Sequence, residues 1–517
     1  MILSSSDLMR RADARATECG VPEVKLMEAA SAQLAQAAMR LALENRTVCI
    51  FSGTGSNGGD GIGAAAELIR GGYAARVYLL GSREKMTASS LEMARRYESL
   101  GGELLEFSAA EEELKEKLSD AGVIIDAIFG IGFRGRVEGE HLRAIEIINA
   151  ASVPIVAADI PSGVAADTGL VLGSAVKASE TVTFSMAMPG HFVEPGCTYC
   201  GKVSVADIAV PAELLKEAQT KIGAVLDEEI FLPRRAKLSH KGDFGRLLVI
   251  GGSVGYTGAP SLCARAAVRM GAGLVWLGVP QSIYEITAVK NDEAMPFPLD
   301  GGKDGELAVT ARSGVMLRLC EVDAGVIGPG FGRRDAAVSI VQRVVRESAK
   351  PVVVDADALF ALAQDMTALS DCKAPQNMIL TPHEGEFLRM GGDLSLGRLH
   401  AALCFVRQYK CVLVLKGHRT IVAFPDETAY IMTRGNPGMA KGGTGDTLAG
   451  MIGAAVCQVA AKKSENADYE MFKRAIVTAV QLHAAVGDAC CEELGEYSMT
   501  ASDMIEKIAS VTKRFVS

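Results

Sequence analysis

The feature that most constrains this chain is a repeated alternation. A short continuous apolar run is followed by a polar or glycine-bearing turn, and then by a stretch with helical spacing. In the first half the runs are TVCIF (47–51), ARVYLL (75–80), VIIDAIF (123–129), PIVAADI (154–160), ETVTFS (180–185) and KVSVADI (202–208). Runs this short and this apolar predict strands covered on both faces, and the segments between them supply the crossovers that parallel pairing requires. Residues 22–44 predict a helix rich in Ala, Leu and Met. The rhythm weakens across 211–240, which places a linker at about 215–235. A second series begins with RLLVIGG (246–252) and continues through GLVWLGV (273–279), AGVIGPG (324–330), PVVVDAD (351–357), NMILTPH (377–383) and CVLVLKG (411–417). TIVAF (420–424) and AYIMT (429–433) predict a hairpin, and helix dominates from about residue 444. The loop motifs of the two series differ, so they are not an internal repeat. The prediction is an α/β protein of two domains, 1–220 and 221–517, each a parallel sheet covered by helices.

Composition narrows the partners. The 517 residues exceed one ordinary core, and 49% of them are hydrophobic, enough for two. The net charge of −9 and the absence of any Lys/Arg-rich run argue against nucleic acid. No apolar run reaches the ~20 residues of a membrane span, so no membrane partner is expected. The first twenty residues carry Asp7, Asp13 and Glu18 and no apolar core of a leader, so the cytoplasm is the expected location. Twelve cysteines are scattered, and only Cys197 and Cys200 form a C-x-x-C pair. A zinc site would call for further ligands, so reduced structural thiols are expected.

The strongest motif is NPGMAKGGTGDTLAGMIGAAV (436–456). Gly442, Gly443 and Gly445, with Thr444, form a turn that opens an apolar helix. Free N–H groups and the positive dipole end then converge on one point, a ready anion hole. Asp446 falls in the first helical turn. Beside a bound phosphate it can accept a proton from a substrate hydroxyl, although alone it could equally be a helix cap. DADALFALA (355–363), TPHEGEF (381–387), LKGHRT (415–420) and GPGFGR (328–333) follow other predicted strands. Ligands of open parallel sheets bind outside the carboxyl ends of the strands, so these loops are expected to share one crevice with Asp446.

These blocks, with HKGDFGRLLVIGGSVGYTGAPSLCARAAVRMGAGLVWLGVP (240–280), resemble the ADP/ATP-dependent NAD(P)H-hydrate dehydratases, a family of ribokinase-like αβα fold. The resemblance covers nearly all of 226–517. It implies substrate contacts at Ala259, Gly330, His383 and Asp446. It implies nucleotide contacts at Lys416, Gly417, His418, Arg419 and Thr420, and at Gly442, Gly443, Thr444 and Gly445. ADP or ATP is the implied phosphoryl donor and Mg2+ its charge partner. Thr444 stands where the family usually has serine and keeps the hydroxyl.

In the first half, SGTGSNGGDGIGAAAELIRGG (52–72) follows a strand and opens a helix, again a phosphate cradle by its glycines but not a Walker motif. DAIFGIGFRGRV (126–137) and ADIPSGVAADTG (158–169) add Asp126, Asp159 and Ser162. The oxygens of Asn57, Asp126 and Ser162 suit a hard cation, although each alone could simply cap a turn. Together the blocks resemble NAD(P)H-hydrate epimerase domains over about 8–212, with a Rossmann-like three-layer αβα fold. That resemblance implies a substrate site at Ser56, Asn57, Gly58, Gly59 and Asp60 and at Gly130, Ile131, Gly132, Phe133, Arg134, Gly135 and Arg136. It places Asp159 at the reacting ring and potassium on Asn57, Asp126 and Ser162. Thr54 and Ser56 depart from the family's Pro and Asn, and Met188 stands where the family has a lysine.

The implied chemistry is coherent. Water added across a reduced nicotinamide leaves a ring hydroxyl in two epimeric forms. Phosphorylation turns that hydroxyl into a leaving group, and elimination restores the ring. The expected function is repair of hydrated NADH and NADPH: Asp159 in epimerisation, Asp446 in nucleotide-dependent dehydration of the S hydrate. A homo-oligomer is expected. The alternative is a ribokinase-like small-molecule kinase fused to a nucleotide-binding module. A dehydrogenase fits less well, because the loops lack a clean G-x-G-x-x-G with an acidic residue about 20 positions on.

Overall fold

A computed structural model describes the chain except residues 43–45, 109, 111–113, 115–117, 119, 227–229, 231, 233, 463–468 and 517. Two compact units result, Met1–Gly223 and Ala224–Ser517.

The first unit carries seven strands: β1 (Thr47–Ser52), β2 (Ala75–Leu79), β3 (Leu104–Glu106), β4 (Ala121–Ala127), β5 (Ile155–Ala158), β6 (Glu180–Phe184) and β7 (Lys202–Ala206). Their order is β3-β2-β1-β4-β5-β6-β7, and every pairing is parallel. Side chains alternate across a strand. Val48 and Ile50 of β1 therefore enter one core with Leu34, Ile62 and Leu68, while Cys49 and Phe51 enter another with Phe107, Ile145 and Ile148. Both faces being apolar explains why the strands appear in sequence as unbroken runs. Three helices matter below: α1 (Ser6–Glu18), α2 (Glu23–Leu41) and α3 (Ser56–Arg70). The helix expected over 22–44 is α2; positions 43 and 44 lie outside the described residues.

The second sheet holds ten strands: β8 (Ile222–Val225), β9 (Arg246–Ile250), β10 (Leu274–Pro280), β11 (Met295–Leu299), β12 (Ala324–Ile327), β13 (Val352–Val354), β14 (Met378–Leu380), β15 (Val412–Leu415), β16 (Ile421–Ala423) and β17 (Ala429–Met432). The order is β11-β10-β9-β12-β13-β14-β15-β16-β17-β8. Pairing is parallel from β11 to β15, then antiparallel through the expected β16–β17 hairpin. The helix Thr444–Ala460 is buried without a break from Thr447 to Cys457. It shares a core with the helices Gly258–Arg269, Tyr469–Ser498 and Ala501–Thr512.

Three strands differ from the sequence expectation. β3 has only three residues, and all are at least partly exposed. β11 contains two prolines, which edge strands tolerate because an edge leaves N–H groups unused. β8 and the helix Ala212–Glu217 occupy ground expected to be linker, of which positions 227–229, 231 and 233 lie outside the described residues. Among the described residues no helix is long and apolar enough to cross a membrane.

Candidate active sites

In the first unit, chain connectivity reverses between β1 and β4, and the loops leaving these neighbours diverge to open a crevice. A cavity of about 950 Å³ lies there. It is lined by Ser56, Asn57 and Asp60, by residues 130–134 with Arg136, and by Asp159. Of the expected contacts, Gly58, Gly59 and Gly135 are not in the lining. The role of Gly58 is steric: a Cβ there would lie 1.9 Å from the Gly53 carbonyl oxygen. Any side chain would thus force the loop off the start of α3.

Asp159 leaves β5 with φ +65°, a strained region for a residue with a side chain. Three bonds hold it. Its Oδ2 accepts from the Ile131 N–H at 2.9 Å and its Oδ1 from the Thr183 hydroxyl at 3.1 Å. Its carbonyl accepts from His191 Nε2 at 2.8 Å. The Met188 N–H donates to His191 Nδ1, so the ring proton sits on Nε2 and His191 is fixed in one tautomer. Burial raises Asp159, against the Ile131 N–H that favours its anion. Burial also pushes Asp60 well up, with Asp159, Asp13 and Glu23 adding their repulsion. Carboxylates raised by burial at the edge of a cavity suit acid–base work.

Asp126 and Ser162 are buried and joined: Ser162 donates its hydroxyl at 2.6 Å to Asp126 Oδ1 and its N–H at 2.8 Å to Oδ2. Burial pushes Asp126 up to about 6. Asn57 has both amide atoms buried without a hydrogen-bond partner, and a Cβ on Gly130 would meet its Cγ at 3.1 Å and Asp159 Oδ2 at 3.0 Å. Met188 belongs to a buried cluster with Met9 and Ile160 and is not itself in the cavity lining, although Met9 is. Cys197 and Cys200 are buried, with Cys200 Sγ donating to the Gly196 carbonyl at 3.3 Å, and among the described residues no three His, Cys, Asp or Glu side chains could hold a metal together.

In the second unit, connectivity reverses between β9 and β12. A Cβ on Gly330 would touch that of Ala259 at 3.4 Å, so these two expected contacts meet. The next strand ends add the polar groups. Asp355, after β13, is buried; its Oδ1 accepts from the Thr381 hydroxyl at 2.7 Å and from Lys416 Nζ at 2.8 Å. Glu386 lies 3.9 Å from Lys416. Burial opposes the charge on Lys416, but Asp355 and Glu386 outweigh it and hold the ammonium above its ordinary range. The site of a Cβ on Gly445 is 3.6 Å from Lys416 Nζ, which brings the glycine turn to the same point.

Gly443, at φ +95°, is the N-cap of the helix Thr444–Ala460, so Asp446 stands in its first turn and does not cap it. Burial pushes Asp446 up to about 7, with Asp355 adding and Lys416 opposing. His383 instead caps its own helix, Glu384–Arg389: its Nδ1 accepts from the Gly385 and Glu386 N–H groups, leaving the ring exposed.

Two supports of this site carry no local signal in the sequence. His483, neutral because burial lowers it to about 4, donates from Nε2 to the Thr444 carbonyl at 3.0 Å and fixes the helix start. Arg398, buried on the helix Arg398–Tyr409, donates to the carbonyls of His418 (2.6 Å), Lys416 (3.0 Å) and Leu415 (3.2 Å), and pairs with Glu384. It therefore shapes the 416–420 segment. Arg398→Met should destabilise the second unit by about 1–3 kcal/mol, because it leaves the buried Leu415 carbonyl without its donor, while the half-exposed Glu384 carboxylate returns to water. Urea unfolding checks this.

The first unit has the strand order and switch-point cavity of Rossmann-like nucleotide enzymes. The second gathers a carboxylate, a lysine and a glycine-started helix at successive strand ends of a mainly parallel sheet. A family model for NAD(P)H-hydrate dehydratase matches residues 247–510, and one for the YjeF-related protein N-terminus matches 23–190. The chain is 37% identical to a protein of Moorella thermoacetica, over 96% of this chain and 94% of that one. It is 32% identical to one of Coxiella burnetii, over 97% and 98%. Both are named bifunctional NAD(P)H-hydrate repair enzyme. The chain belongs to this family. A solved ADP/ATP-dependent NAD(P)H-hydrate dehydratase from Bacillus subtilis, co-crystallised with ATP/Mg2+, is 29% identical over 57% of this chain and 98% of that one, with a TM-score of 0.46.

Proposed function

We propose that this protein repairs hydrated NADH and NADPH, with the two activities dividing near residue 220. The first unit interconverts the R and S hydrates around Asp159. The second uses ADP or ATP to phosphorylate the ring hydroxyl of the S hydrate and eliminates phosphate to restore the dihydronicotinamide. One observation carries the second step: a proton-poised carboxylate, Asp446, in the first turn of a helix whose glycine start adjoins Lys416. Asp446 takes the hydroxyl proton as the phosphoryl group arrives, and the helix start and Lys416 neutralise the transferring charge. Ala259, Gly330 and His383 bound the hydrate, while Arg398 shapes the 416–420 nucleotide segment.

The unpartnered Asn57 amide, with the Asp126 and Ser162 oxygens, fits potassium in the first unit. The ion would neutralise a buried carboxylate there. Magnesium would enter with the nucleotide, and Asp355 Oδ2, facing Gly445, is an oxygen suited to it. We place the protein in the cytoplasm as a homo-oligomer.

Mixing the protein with hydrated NADH and ATP or ADP, and following the return of dihydronicotinamide absorbance, tests the reading. A stable phosphorylated product would instead establish the kinase alternative. The base form of Asp446 is deprotonated, so dehydration kcat/KM should fall about tenfold per pH unit below about 7 and level off above it. Lys416→Met removes the opposing charge, so that limb should move to higher pH. A pH–rate series on both proteins checks the sign.

A further inference from the structure

Resting on the epimerase reading of the first unit, we propose that Asp13 is a second acid–base catalyst, working on the ring face opposite to that served by Asp159. Asp13 lies on α1, ahead of the region matched by the epimerase-side family model, 23–190. It lines the same cavity as Asp159 and Asp60. Its Oδ1 is buried without a hydrogen-bond partner, so a carboxyl oxygen there is uncommitted to the fold. A structural aspartate in that setting would normally be satisfied by a neighbour.

Helix α1 is fixed in place. Ser6 donates its N–H at 2.7 Å and its hydroxyl at 2.5 Å to the carboxylate of Asp167, and Arg134 donates to the Ser6 hydroxyl at 2.8 Å. Arg134 belongs to the loop whose Ile131 N–H holds Asp159. The two carboxylates thus come from separate elements tied to one loop. Burial pushes Asp13 up to about 6, with repulsion from Asp159 and Glu23 adding, so both protonation states are accessible at neutral pH.

The chemistry calls for two such groups. The hydrate's hydroxyl sits on the carbon next to the ring nitrogen. A carboxylic acid protonates it, the C–O bond breaks with nitrogen lone-pair assistance, and water departs to leave a ring iminium. Water then adds to the other face, forming the new C–O bond and giving its proton to a carboxylate there. One proton is donated and one recovered, so no oxidant, reductant or further reactant is used. A lone carboxylate returns water only to the face it left. Inversion needs a partner opposite, and the two exchange roles in the reverse direction.

The test uses the full chain and each purified epimer in ¹⁸O-enriched water, with uncatalysed rates subtracted. The parent protein should incorporate label in both epimers while inverting them. Asp13→Asn should lose inversion by about 100-fold yet still exchange label, with retention, in one epimer only. Asp159→Asn should do the same in the other epimer only. Asp13→Glu and Asp13→Gln, equal in size, repeat the comparison should the Asn variant melt early: the Glu protein should invert and the Gln protein should not. Inversion by Asp13→Asn within threefold of the parent overturns the proposal. So does loss of exchange in both epimers, which would mark Asp13 as structural. A parent protein that inverts neither epimer would sink the epimerase reading itself.

Discussion

Asp446→Asn should lower nucleotide-dependent dehydration of the S hydrate by about 10³-fold, with epimerisation unchanged. The amide keeps the size of the side chain but cannot take a proton from the hydroxyl. The fold should not suffer, since Asp446 does not cap its helix and its charge is disfavoured by burial, with Asp355 and Asp357 adding repulsion. Removing that charge relieves a buried anion, so thermal stability should hold or rise slightly. Nucleotide KM should stay within a few-fold, because the helix start and Lys416 remain. Steady-state assays of both activities on one preparation are decisive. A variant with parental dehydration would remove Asp446 from the chemistry.

Asp159→Asn should leave dehydration of the pure S hydrate intact and slow epimerisation by about 10²–10⁴-fold. The side chain can stay in place: its carbonyl oxygen keeps the Ile131 N–H, and the Thr183 hydroxyl turns from donor to acceptor toward the new amide group. The strained backbone is retained by His191, which binds the carbonyl and not the carboxylate. On a mixed substrate the progress curve should split into two phases. The S hydrate disappears quickly, and the R hydrate then drains only as fast as it inverts unaided. A single phase at the parental rate would show that Asp159 is not needed.

The central strands of both sheets were legible because burial on two faces leaves an unbroken apolar run. β3, β8 and β11 were not, since edge strands are short, partly exposed or broken by proline, and pairing alone defines them. Candidate site residues carried by glycine loops and strand-end carboxylates could be picked out because polar and glycine positions are concentrated in a few adjacent places. Thr183, a polar residue inside an apolar strand, gave a faint sign. His191, His483 and Arg398 gave none: each acts through a partner distant in sequence, and only folding brings the two together. Asp13 gave none either, because only the fold sets it in the cavity that Asp159 lines.

The near-contact between Gly58 and the Gly53 carbonyl has a bearing on how variant libraries of this protein would behave. A screen for soluble, well-folded molecules, with no substrate present, should reject every replacement at position 58 as harshly as an assay of turnover would. Intolerance there therefore measures clearance between two stretches of main chain, whereas intolerance that appears only under selection for activity, as expected at position 159, identifies the chemistry.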